Sequence, residues 1–289
     1  MASNMGVNVP SPSGHVLPSS TEQMKEMRVI QLRVQVAVAF LAAGAAAQAP
    51  LAWRRIPQPH PGASAMVFDS WRHRFVLQCD RTMEWDGADW RERRPVRQPG
   101  AFSYMPMVFD SARGRTVLFG GTYAVDGTTI SGLWEYDGLD WTQRSLAGGP
   151  PARFNHAMAY DSLRQRVVVY GGWNSTGPLS DTWTWDGVTW LSVPATGPAP
   201  SGAMAFHSAT GRIVLFGPPT TSPPPPGALG ATWTFDGTSW RLEQPVTLPG
   251  WLAGRSMCED SANGVVRMIG ANDSSAWEWN GSDWSIDTS

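Results

Sequence analysis

AMAYDSLRQRVVVYGGWN, running from Ala157 to Asn174, and DTWTWDGVTW, running from Asp181 to Trp190, decide the fold of this chain. The first stretch opens with small and apolar residues, turns at Asp161-Ser162 and returns through a β-branched run that ends on Gly171-Gly172. An Asp side chain bonds its own backbone two residues on, which favours a turn there, and Val-rich runs favour strands. In the second stretch, Trp183 and Trp185 stand two apart and so share one face of a strand. Asp186-Gly187 then turns the chain into a further strand that begins at Trp190. Two hairpins in about fifty residues make a four-stranded unit with no helical period.

The unit recurs. Its turns are Asp86-Gly87, Asp137-Gly138, Asp186-Gly187, Asp236-Gly237 and Asn280-Gly281, spaced 51, 49, 50 and 44 residues apart. An aromatic precedes each turn (Trp85, Tyr136, Trp185, Phe235, Trp279), a second large side chain stands two residues earlier, and a Trp follows (Trp90, Trp141, Trp190, Trp240, Trp284). The first hairpin is repeated from Met66, Met107, Met158, Met204 and Met257. In three copies an Asp faces an Arg across that hairpin. Asp69/Arg74, Asp110/Arg115 and Asp161/Arg166 are therefore expected to form structural ion pairs worth at most ~1 kcal/mol each. In the last two copies His207 replaces the Asp and Val265 the Arg. Five such copies predict an all-β chain, a five-bladed β-propeller of four-stranded antiparallel blades between about residues 60 and 286. One blade cannot bury its own faces; stacked blades bury each other's, and most of the 16 Trp are expected in that packing. Trp53 begins WRRIPQPHPGASAMVFD, which looks like an additional outer strand, although a sixth blade would need three more strands than the sequence contains.

Gly120-Gly121 and Gly171-Gly172 after an apolar strand, the later Trp, and the lead-in Arg153-Phe154-Asn155-His156 resemble a kelch-type propeller. The Tyr/Phe-Asp-Ser-x-x-x-Arg hairpin, as in Tyr160-Asp161-Ser162 to Arg166, resembles copies in secreted bacterial kelch proteins, similar to the propeller of galactose oxidase in fold only. Cys79-Asp80 and Gly270-Ala271 depart from the double Gly. The resemblance implies that Arg153 and His156 bond the backbone of a neighbouring blade. It carries over no copper chemistry, because the Tyr, Cys and His residues match no cross-linked Cys–Tyr pair with a second Tyr and two His. No cofactor or metal site is expected.

Residues 1–49 read as an N-terminal extension with an export signal at about 24–47, and residues 50–289 as the propeller. Lys25, Arg28 and Arg33 precede an uncharged run from Val34 and then small residues, with cleavage expected after Ala47 and a secreted, periplasmic or cell-envelope location. The run is short for a membrane span. A formal net charge of −2 gives no general attraction to nucleic acid. Cys79 and Cys258 would lie in adjacent blades of a five-membered ring; two buried free thiols are expected, with a bridge as the alternative.

Turns inside hairpins are short and constant in length. The other connections vary and share the opposite end, where a rigid scaffold places binding residues. The candidate ligand-binding residues are Tyr123, Asp126, Arg153, His156, Trp173, Asn174, Trp251, Arg255, Asn272 and Asp273. No nucleophile elbow, phosphate loop or metal-spaced cluster is present in the sequence. The expected function is an exported, non-catalytic binding or scaffold module for a glycan or protein ligand. The alternative is a glycoside hydrolase or lyase with a carboxylate pair in the channel mouth, drawn from Asp126, Asp181 and Asp273.

Overall fold

The computed structural model describes residues 65–287, apart from 124, 145–146, 196, 220–226, 252–253 and 271–275. The extension and export signal, the Trp53 segment with Arg54 and Arg55, Asn272 and Asp273 lie outside the described residues. No described residue is helical.

The protein is a five-bladed β-propeller. Blade 1 comprises Ala65–Asp69, Arg74–Gln78, Thr82–Trp85 and Trp90–Arg93. Blade 2 comprises Met107–Asp110, Arg115–Phe119, Leu133–Tyr136 and Trp141–Arg144. Blade 3 comprises Ala157–Asp161, Arg166–Tyr170, Thr182–Trp185 and Trp190–Val193. Blade 4 comprises Ala203–His207, Arg212–Gly217, Ala231–Phe235 and Trp240–Leu242, and blade 5 Ser256–Asp260, Val265–Ile269, Ala276–Trp279 and Trp284–Ile286. Each sheet follows chain order and is antiparallel throughout. The first strands of blades 1 to 5 lie successively beside one another and so line the axis. Two short ribbons, Phe102–Ser103 with Thr122–Tyr123 and Trp173–Asn174 with Gly177–Pro178, are added at the end with the variable connections.

Alternation places one set of side chains against the preceding blade and the other against the following one. Blade 3 turns Met158, Val167, Val169 and Trp185 toward Val108, Val117, Phe119 and Leu133 of blade 2. Its other face offers Ala157, Ala159, Val168 and Tyr170 to Met204, Phe206, Ile213, Leu215, Phe235 and Trp240 of blade 4. The outer-strand Trp is then tied down by its indole N–H. Trp141 donates to Thr82 Oγ1 (2.9 Å), Trp240 to Thr182 Oγ1 (2.9 Å) and Trp284 to Thr232 Oγ1 (2.8 Å). At blade 2 that threonine position holds Leu133, and Trp190 Nε1 accordingly has no partner.

Two details of the hairpins correct the sequence reading. Asp69, Asp110 and Asp161 do face Arg74, Arg115 and Arg166 in register. Their carboxylates nevertheless pair with the arginines three residues on: Asp69 with Arg72 at 2.7 Å, Asp110 with Arg113 at 2.7 Å and Asp161 with Arg164 at 2.8 Å. Arg74 is drawn instead toward Asp86 of its own blade (3.7 Å), while Arg72 folds back to share Asp69 and Glu84. The Asp-Gly turns also join strands across four residues, as between Trp85 and Trp90, with Asp86 Oδ1 accepting the N–H groups of Ala88 and Asp89. Only the glycine takes positive φ, +99° at Gly87.

That glycine has a second reason to be there. A Cβ on Gly138 would meet Arg72 at 2.6 Å, one on Gly187 would meet Arg113 at 2.5 Å and one on Gly237 would meet Arg164 at 2.4 Å. The turn arginine of blades 1, 2 and 3 thus rests on the Asp-Gly turn of the next blade, whereas at Gly281 the neighbours are Thr210 and His207 of blade 4. At the turn before the second strand, blades 2, 4 and 5 use Gly114, Gly211 and Gly264 at positive φ, whereas blade 3 holds Gln165 there at φ 53°. Left-handed backbone costs an L-residue ~1–2 kcal/mol, and glycine's unfolded-state entropy offsets ~0.5–1 kcal/mol of that. Gln165→Gly is therefore expected to stabilise the fold by about 0.5–1 kcal/mol, read as a raised urea midpoint; a lowered midpoint would contradict the strain.

Apolar clusters seal four interfaces, and the fifth differs. Each of four apolar clusters joins one blade to the next from 1 to 5, and among the described residues none joins blade 5 to blade 1. Met66, Phe68, Phe75, Met83 and Trp85 on the open face of blade 1 are half-buried, and nothing lies within 4 Å of where a Cβ on Gly87 would stand. The side of blade 5 turned away from blade 4 is polar by comparison. Arg267 is buried there among Asp260 (3.0 Å), Glu278 (2.7 Å) and Asp287. Cys79 and Cys258 are both free thiols.

Candidate functional site

The double glycines build the loop end. Gly121 N donates to Arg153 O (2.8 Å) and Gly172 N to Pro200 O (2.7 Å), so the segment leading into each next blade crosses directly over the pair. A Cβ at Gly120 would stand 2.5 Å from Arg153 O, and one at Gly171 would stand 2.7 Å from Pro200 O. Phe154 and Trp173 exchange backbone hydrogen bonds at 2.9 Å, and Asn155 N reaches Tyr104 O at 3.2 Å. Lead-ins and ribbons of blades 2 and 3 therefore form one continuous, backbone-tied platform.

Eight of the ten candidate residues are described, six of them on this platform and Trp251 and Arg255 beside blades 4 and 5, and they separate by role. Arg153 has no exposed surface. It forms a bidentate pair with Asp181 (2.8 and 2.7 Å) and donates to Gly171 O (2.9 Å), binding lead-in to blade. His156 is buried edge-on against Phe119, and neither ring nitrogen has a partner. Arg255 is buried, with Nη2 donating to Gly250 O (2.9 Å) and its guanidinium 5.8 Å from the Phe216 ring centroid. Trp251 packs half-buried on the same ring at 6.1 Å. Asp126 Oδ1 accepts from Thr128 N (2.8 Å) and Asn174 Oδ1 from Thr176 N (2.9 Å), each capping its own turn. Tyr123 and Trp173 remain the open aromatic surfaces, 45% and 39% exposed, one on each ribbon.

Burial pushes the His156 pKa well down, the Arg153 charge pushes it further and Asp181 opposes in part. An unfolded histidine titrates near pH 6.5. Because the folded value is depressed, this contribution to stability is complete above about pH 6.5 and is lost as pH falls below it, by up to about 1.4 kcal/mol per pH unit. Urea unfolding between about pH 7.5 and 5.5 should show that decline, and His156→Asn should flatten it while lowering stability throughout; identical slopes would mean that His156 is already charged in the fold.

Of the carboxylates offered for hydrolysis, Asp126 and Asp181 are described, and both are held as anions by their own hydrogen bonds. Burial raises Asp181, but hydrogen bonds from Arg153 and Trp183 outweigh it and hold the carboxyl below its usual range. The Thr128 N–H and hydroxyl lower Asp126. A general acid needs a raised value. Among the described residues no group of three His, Cys, Asp or Glu is placed to hold a metal ion. The basic stretch after Trp90 is also committed, Arg91 to Asp86 (3.1 Å), Arg93 to Glu84 (2.7 Å) and Arg94 to Glu92 (3.6 Å).

A second polar system at the short-turn end escaped the sequence reading. Glu84 accepts from Arg72 (2.6 Å), Arg93 (2.7 Å) and the Tyr136 hydroxyl of blade 2 (3.1 Å). Glu135 accepts from Arg113 (2.6 Å), Arg144 (2.7 Å) and Trp185 Nε1 of blade 3 (3.0 Å). The signal was the residue between the paired aromatics, which reads Glu84, Glu135, Thr184, Thr234 and Glu278 along the repeats. Between blades 3 and 4, where Thr184 stands, lies a cavity of about 380 Å³ lined by Asp161, Arg164, Arg166, Val168, Thr184, Phe235, Gly237 and Thr238.

No protein-family model matches the chain. It is similar over 109 residues, at 33% identity, to dynein regulatory complex subunit 7 of Chlamydomonas reinhardtii, a match covering 35% of this chain and 9% of that protein. It is also similar over 68 residues, at 36% identity, to tip elongation aberrant protein 3 of Schizosaccharomyces pombe, covering 22% of this chain and 6% of that protein. The chain thus spans less than a tenth of the length of either curated relative.

Proposed function

We propose that this chain is an exported kelch-type propeller that acts as a non-catalytic binding module, presenting the ribbon platform of blades 2 and 3 to a glycan. The observation that carries this is the pair of exposed aromatics, Tyr123 and Trp173, mounted on backbone-tied ribbons rather than on free loops. Aromatic faces held on a rigid scaffold stack on sugar rings at little ordering cost, and Asn174 and Asp126 beside them offer polar groups to hydroxyls. A protein ligand is the other member of this reading. One matched relative is named as a subunit of a complex, which is compatible with a scaffold role.

The test is a carbohydrate microarray probed with the full chain and with Tyr123→Ala/Trp173→Ala. Binding to any glycan found should weaken about tenfold or more, equivalent to about 1.4 kcal/mol, while the melting temperature stays within about 2 °C because neither ring belongs to an interblade cluster. Undiminished binding by the double variant would remove the platform from consideration, and a blank array would remove the glycan.

A further inference from the structure

The cavity between blades 3 and 4 occupies the place where the two preceding interfaces hold a glutamate carboxylate. Its lining matches the glutamate surroundings of the first interface residue by residue. Asp161 corresponds to Asp69, Arg164 to Arg72, Val168 to Val76, Phe235 to Tyr136 and Gly237 to Gly138, and Thr184 stands where Glu84 does. The outer-strand arginine is gone as well, with Val193 at the position of Arg93. At the following interface Thr234 again stands in the glutamate position, but Glu243 fills in, accepting from Thr234 Oγ1 at 2.7 Å. The interface between blades 3 and 4 therefore keeps the arginine of the turn and has no glutamate.

The donors left behind face that space. Thr184 is 4% exposed and its hydroxyl has no hydrogen-bond partner, although it lines the cavity. A buried hydroxyl without a partner costs roughly 1–3 kcal/mol, which an acceptor in the cavity would recover. Arg164 binds Asp161 and Gly211 O through Nη1 alone (2.8 and 2.9 Å), whereas Arg72 and Arg113 each spend a second nitrogen on the glutamate. Arg166 adds a second guanidinium to the lining; it also feels the charge of Asp186 outside the cavity, while Asp161 is the one carboxylate in the lining itself. The walls toward the barrel of the interface, Val168 and Phe235, are apolar. Donors at one side and hydrocarbon at the other suit a carboxylate on a short aliphatic stem, the shape of the side chain that is absent.

We propose that this cavity binds a short-chain aliphatic carboxylate, with the Arg164 and Arg166 guanidinium groups and the Thr184 hydroxyl donating to the carboxylate and Val168 and Phe235 covering the stem. The site lies at the end of the propeller opposite Tyr123 and Trp173 and is independent of the function proposed for them.

Calorimetric titration and thermal unfolding of the full chain test it, with propionate as the probe and propionamide and chloride as controls at matched ionic strength. Propionate should bind saturably and raise the melting temperature, with neither control doing so. Thr184→Glu should abolish the propionate response by supplying the carboxylate internally. Thr184→Val, which keeps the shape and folds even if the glutamate variant does not, should weaken binding about tenfold or more. A propionamide or chloride response equal to that of propionate, undiminished binding by either variant, or no saturable response at tens of millimolar would overturn the proposal. Tighter binding of an N-acetylated, C-amidated glutamate than of propionate would place the carboxylate on a polypeptide side chain, and the reverse order on a free acid; both are carboxylate sites of the proposed kind.

Discussion

Asp181→Ala is expected to lower the free energy of unfolding by about 3–5 kcal/mol, because it strands a guanidinium with no access to water. Arg153 is 0% exposed, and two of its nitrogens are held by the Asp181 carboxylate. Its remaining contacts, Gly171 O at 2.9 Å and Pro151 O at 3.2 Å, are neutral carbonyls. Removing the other partner should cost less. In Arg153→Met the charge leaves with the side chain, and the Asp181 carboxylate, 35% exposed, can reach solvent. The double variant should accordingly recover part of the loss from Asp181→Ala. Urea unfolding of the three proteins measures the cycle. A fully stable Asp181→Ala protein would mean that the pair does not hold the lead-in to blade 3. It would reopen the reading of Asp181 as a chemical group.

The second large effect distinguishes a sealed interface from the open one. Trp185 and Trp85 occupy the same position in their repeats, before the Asp-Gly turn. Trp185 is 2% exposed, packs in the cluster between blades 2 and 3 and donates its indole N–H to Glu135 (3.0 Å). Trp185→Ala should cost about 3–5 kcal/mol. Trp85 is half-buried on the face of blade 1 that no apolar cluster of described residues joins to blade 5. Trp85→Ala should cost about 1–2 kcal/mol, since less area returns to water and a smaller cavity forms. Chemical denaturation of both variants decides the matter. Equal losses would show that blades 5 and 1 are packed as tightly as their neighbours.

The candidate site was legible in part. Tyr123 and Trp173 could be named because they follow double glycines and precede variable connections, and both stand open on the ribbons. Arg153, His156 and Arg255 stand in the same segments, but the lead-ins fold down between blades rather than outward, which buries all three. Exposure depends on which way a crossing segment presses, and residue type alone carries no record of that direction.

Period, strand order and turn chemistry are properties of the chain itself. Alternation assigns each residue to one face of its strand, five turn glycines count the blades, and a β-branched run after a turn cannot readily become a helix. These local preferences agree with one another in every repeat, and for that reason the all-β propeller could be read without coordinates. Tertiary structure decided what depends on two blades at once. It chose the arginine three residues beyond each aspartate over the one directly opposite, because only the nearer one can also rest on the next blade's turn. It left blades 5 and 1 without an apolar cluster between them among the described residues, and put Arg267 with Asp260 and Glu278 on the face of blade 5 turned away from blade 4. It also turned the Glu-to-Thr difference at Thr184, with Val193 in place of the outer-strand arginine, into a cavity, whereas the same difference at Thr234 is filled by Glu243.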